Sequence, residues 1–291
     1  MYAKVNGYKI YFDVEGLQYV SEGAVMRERP VCLALHGGPA GDHTHYLPDL
    51  SPLSKYCQIV YIDDRECGLS DHIDPAAYSI RQNAEDVEAL REYLGLEKVF
   101  ILGHSYGGMK AQYYAAHYPE HLYGVMIVAS AARAADVSPE RRDENIDRYA
   151  GEEGRALYDR LMADFAAGKI DMMGLTIGLL PLYHGKGKFK GQETIDNFLH
   201  ETYNMEVLND PANDFYSFDL TADIETIGLP CMVAAGDRDI LCSLEANRYI
   251  ADHIPGAEFH ILENTSHDAF ADSPEVLLPL LGDFMERHFK K

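Results

Sequence analysis

Six short apolar runs, at 31–35, 59–62, 99–102, 125–128, 232–235 and 259–262, are each followed by a turn or a helical pattern. Runs this short do not make a helix, and they lack the alternation of a strand with one wet face. They read as strands buried on both sides. Such strands are covered by helices packed on both faces of a mostly parallel sheet, so the chain is confined to an α/β architecture. At the N-terminus, Lys4-Val5 and Tyr8-Lys9-Ile10-Tyr11-Phe12 flank Asn6-Gly7, the pair that best tolerates the positive φ angles of a tight hairpin turn.

Helix signals fit the same plan. Ser79 and Gln82 are spaced as a capping box, and Ile80, Ala84, Val87, Leu90 and Leu94 then recur at helical intervals over 79–94. The last helix is expected to start with Ser273 as N-cap and Pro274 in its first turn. Between about 132 and 222 the strand signals stop. That stretch reads as helices alone, at 139–149, 152–167, 170–180 and 192–208, and strand patterning resumes at Pro230. The expected organisation is a core of residues 1–131 and 223–291 with a helical cap, or lid, of residues 132–222. Lys186, Lys188 and Lys190 in its middle read as a solvated loop.

Composition excludes several function classes. No apolar run approaches the roughly 18 residues that span a bilayer, and the N-terminus lacks the pattern of a secretory signal. The 5 cysteines form no Cys-x-x-Cys pair, which suits reduced thiols and a cytoplasmic location. A formal charge of −22 repels phosphate backbones and anionic lipid, which argues against nucleic-acid or membrane partners.

The chemistry is concentrated at Gly103-His104-Ser105-Tyr106-Gly107. This G-x-S-x-G pattern follows one apolar run and opens a helix that Pro119 stops. Such a junction forces the serine into a sharp, strained turn, with small residues on either side letting strand and helix approach. The helix N-terminus behind the hydroxyl favours developing negative charge. A serine needs a base, and the base needs an acid to orient it. In a nucleophile elbow these follow in the order acid, then histidine. His267 sits in a loop just before the final helix, whereas His260 lies within a strand, His288 on the terminal helix and His253 at a helix end. Asp237 and Asp239 both occupy the turn after 232–235, and either can serve as the acid on this ground alone. The oxyanion donors are expected from the amide of Tyr106 and from Gly38 in His36-Gly37-Gly38-Pro39, where paired glycines admit a ligand to the backbone. Asp42-His43-Thr44-His45 has two histidines but no further placed ligands, so no metal and no cofactor is expected.

His36-Gly37-Gly38-Pro39, Asp63-Asp64-Arg65-Glu66-Cys67-Gly68-Leu69-Ser70, the Ser105 motif, Gly236-Asp237-Arg238-Asp239 and the late His267 fall in the order seen in proline iminopeptidases. The chain resembles that branch of the α/β-hydrolase family, particularly the smaller, tricorn-associated type. The resemblance implies an α/β-hydrolase fold with an inserted helical lid, Asp239 as the catalytic acid, and release of an N-terminal residue whose free amine is held by lid carboxylates. Departures are Ala40 and Glu66 where the family carries glycine, Ile240 where the tricorn-associated type carries an amine-binding glutamate, and no tryptophan. Glu193, Glu201, Glu206 and Asp214 are lid carboxylates, and Tyr183, Phe198, Tyr203, Phe215 and Tyr216 are candidate pocket aromatics. Gly37, Glu201, Glu206 and Tyr203 are the substrate-binding candidates.

The leading function is therefore a metal-independent serine hydrolase acting on a small amide or peptide with a free amine. An esterase or lactonase with the same mechanism is the rival. A ligand receptor that kept the fold belongs to another class, and retention of Ser105 and His267 argues against it.

Overall fold

A computed structural model describes residues 1–210 and 213–289. The strands are β1 (Tyr2–Val5), β2 (Tyr8–Glu15), β3 (Tyr19–Glu22), β4 (Val25–Glu28), β5 (Val31–Leu35), β6 (Gln58–Ile62), β7 (Val99–His104), β8 (Leu122–Val128), β9 (Cys231–Gly236) and β10 (Glu258–Leu262). The helices are α1 (Ile80–Tyr93), α2 (Tyr106–His117), α3 (Pro139–Asn145), α4 (Gly151–Ala166), α5 (Met172–Leu179), α6 (Gln192–Phe198), α7 (Met205–Leu208), α8 (Thr221–Ile224), α9 (Leu244–His253), α10 (Ala269–Asp272) and α11 (Pro274–His288). Among the described residues none of them is long and apolar enough to cross a membrane.

The sheet order is β1-β2-β6-β5-β7-β8-β9-β10. The hairpin β1–β2 joins β6 antiparallel, and every pair from β6 through β10 is parallel. Asn6 and Gly7 both take positive φ, as the hairpin turn requires. Each of the six apolar runs lies in a strand of this sheet. Successive residues of those strands feed opposite cores: Val31, Leu33 and Leu35 face one, with Ile80, Val87 and Ile250, while Cys32 and Ala34 face the other, with Leu277, Leu281 and Phe284. β10 is the exception to full burial. As the edge strand it leaves Ile261 exposed. β3 and β4 form a separate ribbon that carried no strong apolar signal.

Among the described residues, the segment 132–222 carries no strand of the sheet. Its helices enclose a small core of Ile146, Tyr158, Leu161, Leu175 and Leu179, to which the turn after β9 adds Ile240. The first expected helix ends in a π turn, Ile146–Ala150, that runs into α4. The expected helix over 192–208 is interrupted. α6 stops at Phe198, and α7 restarts only at Met205. Thr202 and Asn204 account for the break by making bonds elsewhere. Thr202 donates its amide and hydroxyl to Asp42, the Asn204 amide donates to the Ala40 carbonyl, and the Asn204 side chain caps α7. Lys186 and Lys190 are exposed, while Lys188 donates to the Asp272 carbonyl. Ser273 begins α11 without a capping bond of its own. Its hydroxyl is buried against Thr265.

Candidate active site

Ser105 sits between the end of β7 and the start of α2, with φ +55° and ψ −120°. An L-residue adopts that region only when its surroundings impose it. Here the glycines explain the imposition. A Cβ at Gly107 would collide with the Leu35 carbonyl, and one at Gly103 with the Gly107 carbonyl, so β5, β7 and α2 approach only with both side chains missing. The backbone is then pinned by the Ser105 amide donating to the Val128 carbonyl and by Ser130 Oγ donating to the Ser105 carbonyl at 2.8 Å.

Beyond β10, the loop 263–268 crosses the end of β9, where a Cβ at Gly236 would meet the Thr265 carbonyl. This close approach brings His267 over the serine. His267 Nε2 lies 3.0 Å from Ser105 Oγ, and Nδ1 lies 2.9 Å from Asp239 Oδ2. Asp239 is fully buried, and its Oδ1 accepts the amides of Leu241 and Cys242 at 2.8 and 2.9 Å. A carboxylate only accepts here, so Nδ1 of His267 carries the hydrogen and Nε2 presents a lone pair to the serine hydroxyl. Asp237 reaches neither group. It accepts the Thr265 amide at 3.2 Å and steadies the loop. Burial, followed by the Asp239 charge, pushes the Cys242 thiol well above its ordinary value, so the thiol beside Ser105 stays protonated.

Gly38 has φ +125°, which a side chain rarely tolerates. Among the described residues no group accepts from the Gly38 or Tyr106 amide, which leaves both donors available. Gly37 packs against the rings of His45 and His104; a Cβ there would lie 3.2 Å from His45 Nε2.

The four candidate carboxylates of segment 132–222 separate. Glu201 is buried in the strap between α6 and α7, its Oε2 is 3.4 Å from His45 Nδ1, and its Oε1 accepts nothing among the described residues. Tyr203 lies beside it. Burial and the Glu201 charge push that phenol well above its usual range. Asp214 is committed to the core: it accepts the Ile80 amide at 2.7 Å and the Tyr106 hydroxyl at 3.3 Å. Glu193 is exposed and pairs with Lys190. Glu206 is exposed on α7 and lines an outer cleft of 560 Å³ with Glu66, His72 and Tyr203. Of the aromatics, the Tyr183 ring lies 6.3 Å from His267 and Phe215 lies 6.2 Å from Tyr106, whereas Tyr216 is largely exposed with its hydroxyl donating to the Leu208 carbonyl.

Several groups at this site escape a linear reading. Asp42 anchors the strap through Thr202, and His104 makes a 2.7 Å contact with His45. Asp42, His43 and Asp63 come within ligand distance of a common point, as do His36, Asp64 and Cys67. Their donors are already engaged. Asp42 accepts from Thr44 and Thr202, and Asp63 accepts the His43 and Leu69 amides. Asp64 is paired with the buried Lys110 ammonium. Both clusters are accounted for as structural networks.

Known proteins agree with this architecture. The model of the alpha/beta hydrolase fold matches residues 30–274. The chain is 27% identical to proline iminopeptidase PfmaB of Pestalotiopsis fici, over 95% of this chain and 99% of that one. It is 26% identical to the proline iminopeptidase of Saccharolobus solfataricus, over 98% of this chain and 92% of that one. The crystal structure of a proline iminopeptidase from Mycobacterium smegmatis has the same fold, with a TM-score of 0.79 at 22% identity over 99% of this chain and 98% of that one. The family match runs through every parallel strand from β5 to β10 and takes in both the Ser105 elbow and the His267 loop, so the chain belongs to the alpha/beta hydrolase fold family.

Proposed function

We propose that the protein is a serine hydrolase of proline iminopeptidase type, with Ser105 as nucleophile, His267 as general base and acid, and Asp239 as the group that orients it. The observation that carries this reading is the hydrogen-bonded line from Asp239 through His267 to Ser105, at 2.9 and 3.0 Å. As Ser105 Oγ attacks the scissile carbonyl carbon, its proton passes to His267 Nε2, and the Asp239 carboxylate stabilises the imidazolium. The oxyanion is met by the amides of Gly38 and Tyr106. Collapse breaks the carbon–nitrogen bond, and His267 returns the proton to the leaving amine. Water then gives a proton to His267 and attacks the acyl-enzyme, releasing the acid and restoring Ser105.

A buried carboxylate oxygen without a donor supports a cationic ligand group, so Glu201 Oε1 is assigned the substrate's free ammonium, with Tyr203 beside it. Gly37 lets the oxyanion loop sit close to that pocket, and Glu206 draws the cation at the outer cleft. Residues 132–222 act as the lid. The substrate is a short peptide or small amide, the setting is the cytoplasm, and nucleic acid and membranes are not partners, in keeping with the charge of −22.

Ile240 favours one other reading. It is buried in the lid core where the tricorn-associated type carries a glutamate. Loss of that glutamate weakens the hold on a free amine, and the same triad also serves an acyl ester or lactone. Prolyl and alanyl arylamides assayed beside short acyl esters separate the two: hydrolysis of the arylamides, abolished by Ser105→Ala with the fold intact, is expected, and turnover of esters alone would replace the peptidase reading.

A further inference from the structure

His104, the residue before the nucleophile, is almost fully buried. Its ring lies between those of His45 and His267, each at a centroid distance of 4.9 Å, and Phe270 closes it from the side. Its Nε2 is 2.8 Å from the backbone carbonyl of His267 and its Nδ1 is 2.7 Å from His45 Nε2. A carbonyl only accepts, so His104 Nε2 carries the hydrogen. Burial, reinforced by the neighbouring His45 and His267, pushes His104 well below its usual value, so the ring is neutral and its Nδ1 is an acceptor. His45 Nε2 must then donate. That leaves His45 Nδ1 facing Glu201 Oε2 at 3.4 Å, two acceptors unless a proton lies between them.

The directions of these bonds are thus forced from one end to the other. The charged and titratable groups facing His45 are Glu201 from the strap, Asp42 from its own loop, Asp268 from the loop of the base, and His104. Burial opposes the charged imidazole, but Glu201 and then the two aspartates outweigh it and hold His45 above its ordinary value. Gly41 leaves the space that Glu201 occupies, since a Cβ there would collide with Oε1.

We propose that His45 and His104 are positioning residues through which a proton shared with the lid carboxylate Glu201 holds the His267 loop in place over Ser105. The inference rests on the assignment of His267 as the base. With His45 protonated, the string is attractive at every link and the loop is held. With His45 neutral, its lone pair faces the carboxylate, the last link fails, and the strap no longer braces His104. Ser105 reactivity therefore needs His267 Nε2 free to accept the hydroxyl proton and falls as His45 loses its own.

The test is the rate of Ser105 labelling by a neutral fluorophosphonate from about pH 5 to about pH 10, a span that brackets the ordinary imidazole range. The probe has no amine, so the outcome is independent of whether the substrate is an aminopeptide. Wild-type protein is expected to give a bell-shaped profile. In His45→Gln, whose amide donates to His104 without titrating, the alkaline limb disappears and the acid limb stays. His104→Ala slows labelling by about tenfold or more at every pH, the scale of a misplaced reacting group, and His104→Asn, which again donates to the His267 carbonyl, recovers most of it. Thermal melts at each pH establish that the variants are folded. An alkaline limb that persists unchanged in His45→Gln, or its absence from the wild type, overturns the proposal, as does a wild-type rate in His104→Ala. A wild-type protein whose Ser105 is not labelled removes the base assignment and the inference with it.

Discussion

Two aspartates two residues apart have opposite fates in this chain. The turn Gly236-Asp237-Arg238-Asp239 offers both at the end of β9, and nothing in residue type separates them. Backbone direction does: the amides of Leu241 and Cys242 turn the Asp239 carboxylate inward onto His267, while Asp237 faces the Thr265 amide. Asp239→Asn is expected to cost on the order of 10⁴ in turnover, because the amide favours the wrong histidine tautomer. Asp237→Asn should stay within about a factor of two, the scale of a substitution at a partly exposed site. Steady-state kinetics on the two variants decide the assignment, and comparable losses would reverse it. The two departures from family glycine are also residue-scale features. Ala40 and Glu66 both take positive φ, at 67° and 63°, so the backbone has kept a conformation that glycine adopts without strain. Glu66 compensates locally, since its carboxylate accepts the amides of Ile73 and Asp74. Glu66→Gly removes both bonds along with the strain, and is expected to leave the denaturant midpoint nearly unchanged or lower it. A clear gain in stability would show that the strain outweighs the bonds.

Among the elements, the strap 199–204 owes its shape to partners far away in the chain. Its residue pattern continues a helix, and α6 and α7 are indeed helical on either side. Thr202 and Asn204 break it by bonding to groups about 160 residues away in the chain, at Asp42 and Ala40, which no local pattern encodes. Asp42 is the anchor. Burial opposes its charge, but hydrogen bonds from Thr202 and Thr44 hold its carboxyl below the ordinary value of 3.8. A depressed acid contributes stability that is complete above the ordinary value and is lost as pH falls through the lower value in the fold. The strap is therefore expected to loosen only in strong acid. Asp42→Asn reproduces the loss at neutral pH, because one amide oxygen cannot accept from both threonines. About 1–3 kcal/mol of local stability goes with it, and chymotrypsin should cut within 199–204 in the variant but not in the wild type.

Across the whole molecule, charge and burial make separate demands. The Lys110 ammonium is fully buried on α2 and meets Asp64, which also accepts from Tyr78 and Asn83. Lys110→Met strands that carboxylate and is expected to cost about 3–5 kcal/mol, read from the urea midpoint; an unchanged midpoint would mean that water replaces the lysine. The net charge of −22 repels itself over the surface. Moderate sodium chloride should thus raise the melting temperature by screening, and a fall would point to dominant surface ion pairs such as Arg287 with Glu258 and Asp283. The sheet, its crossover helices and the elbow were legible in the chain because apolar period, turn chemistry and steric need for glycine are local, and local rules leave local marks. The Gly37-Gly38 loop and the late histidine could be placed because they sit at strand ends whose positions those rules define. Residue type left Asp237 and Asp239 open, and the family resemblance pointed to Asp239. The contact of Asp239 with His267, the break in the helix expected over 192–208 and the string from Glu201 through His45 and His104 to the His267 loop are set only by tertiary structure. Each depends on which distant backbone amide, carbonyl or buried charge meets a side chain, and a linear pattern carries no record of that meeting.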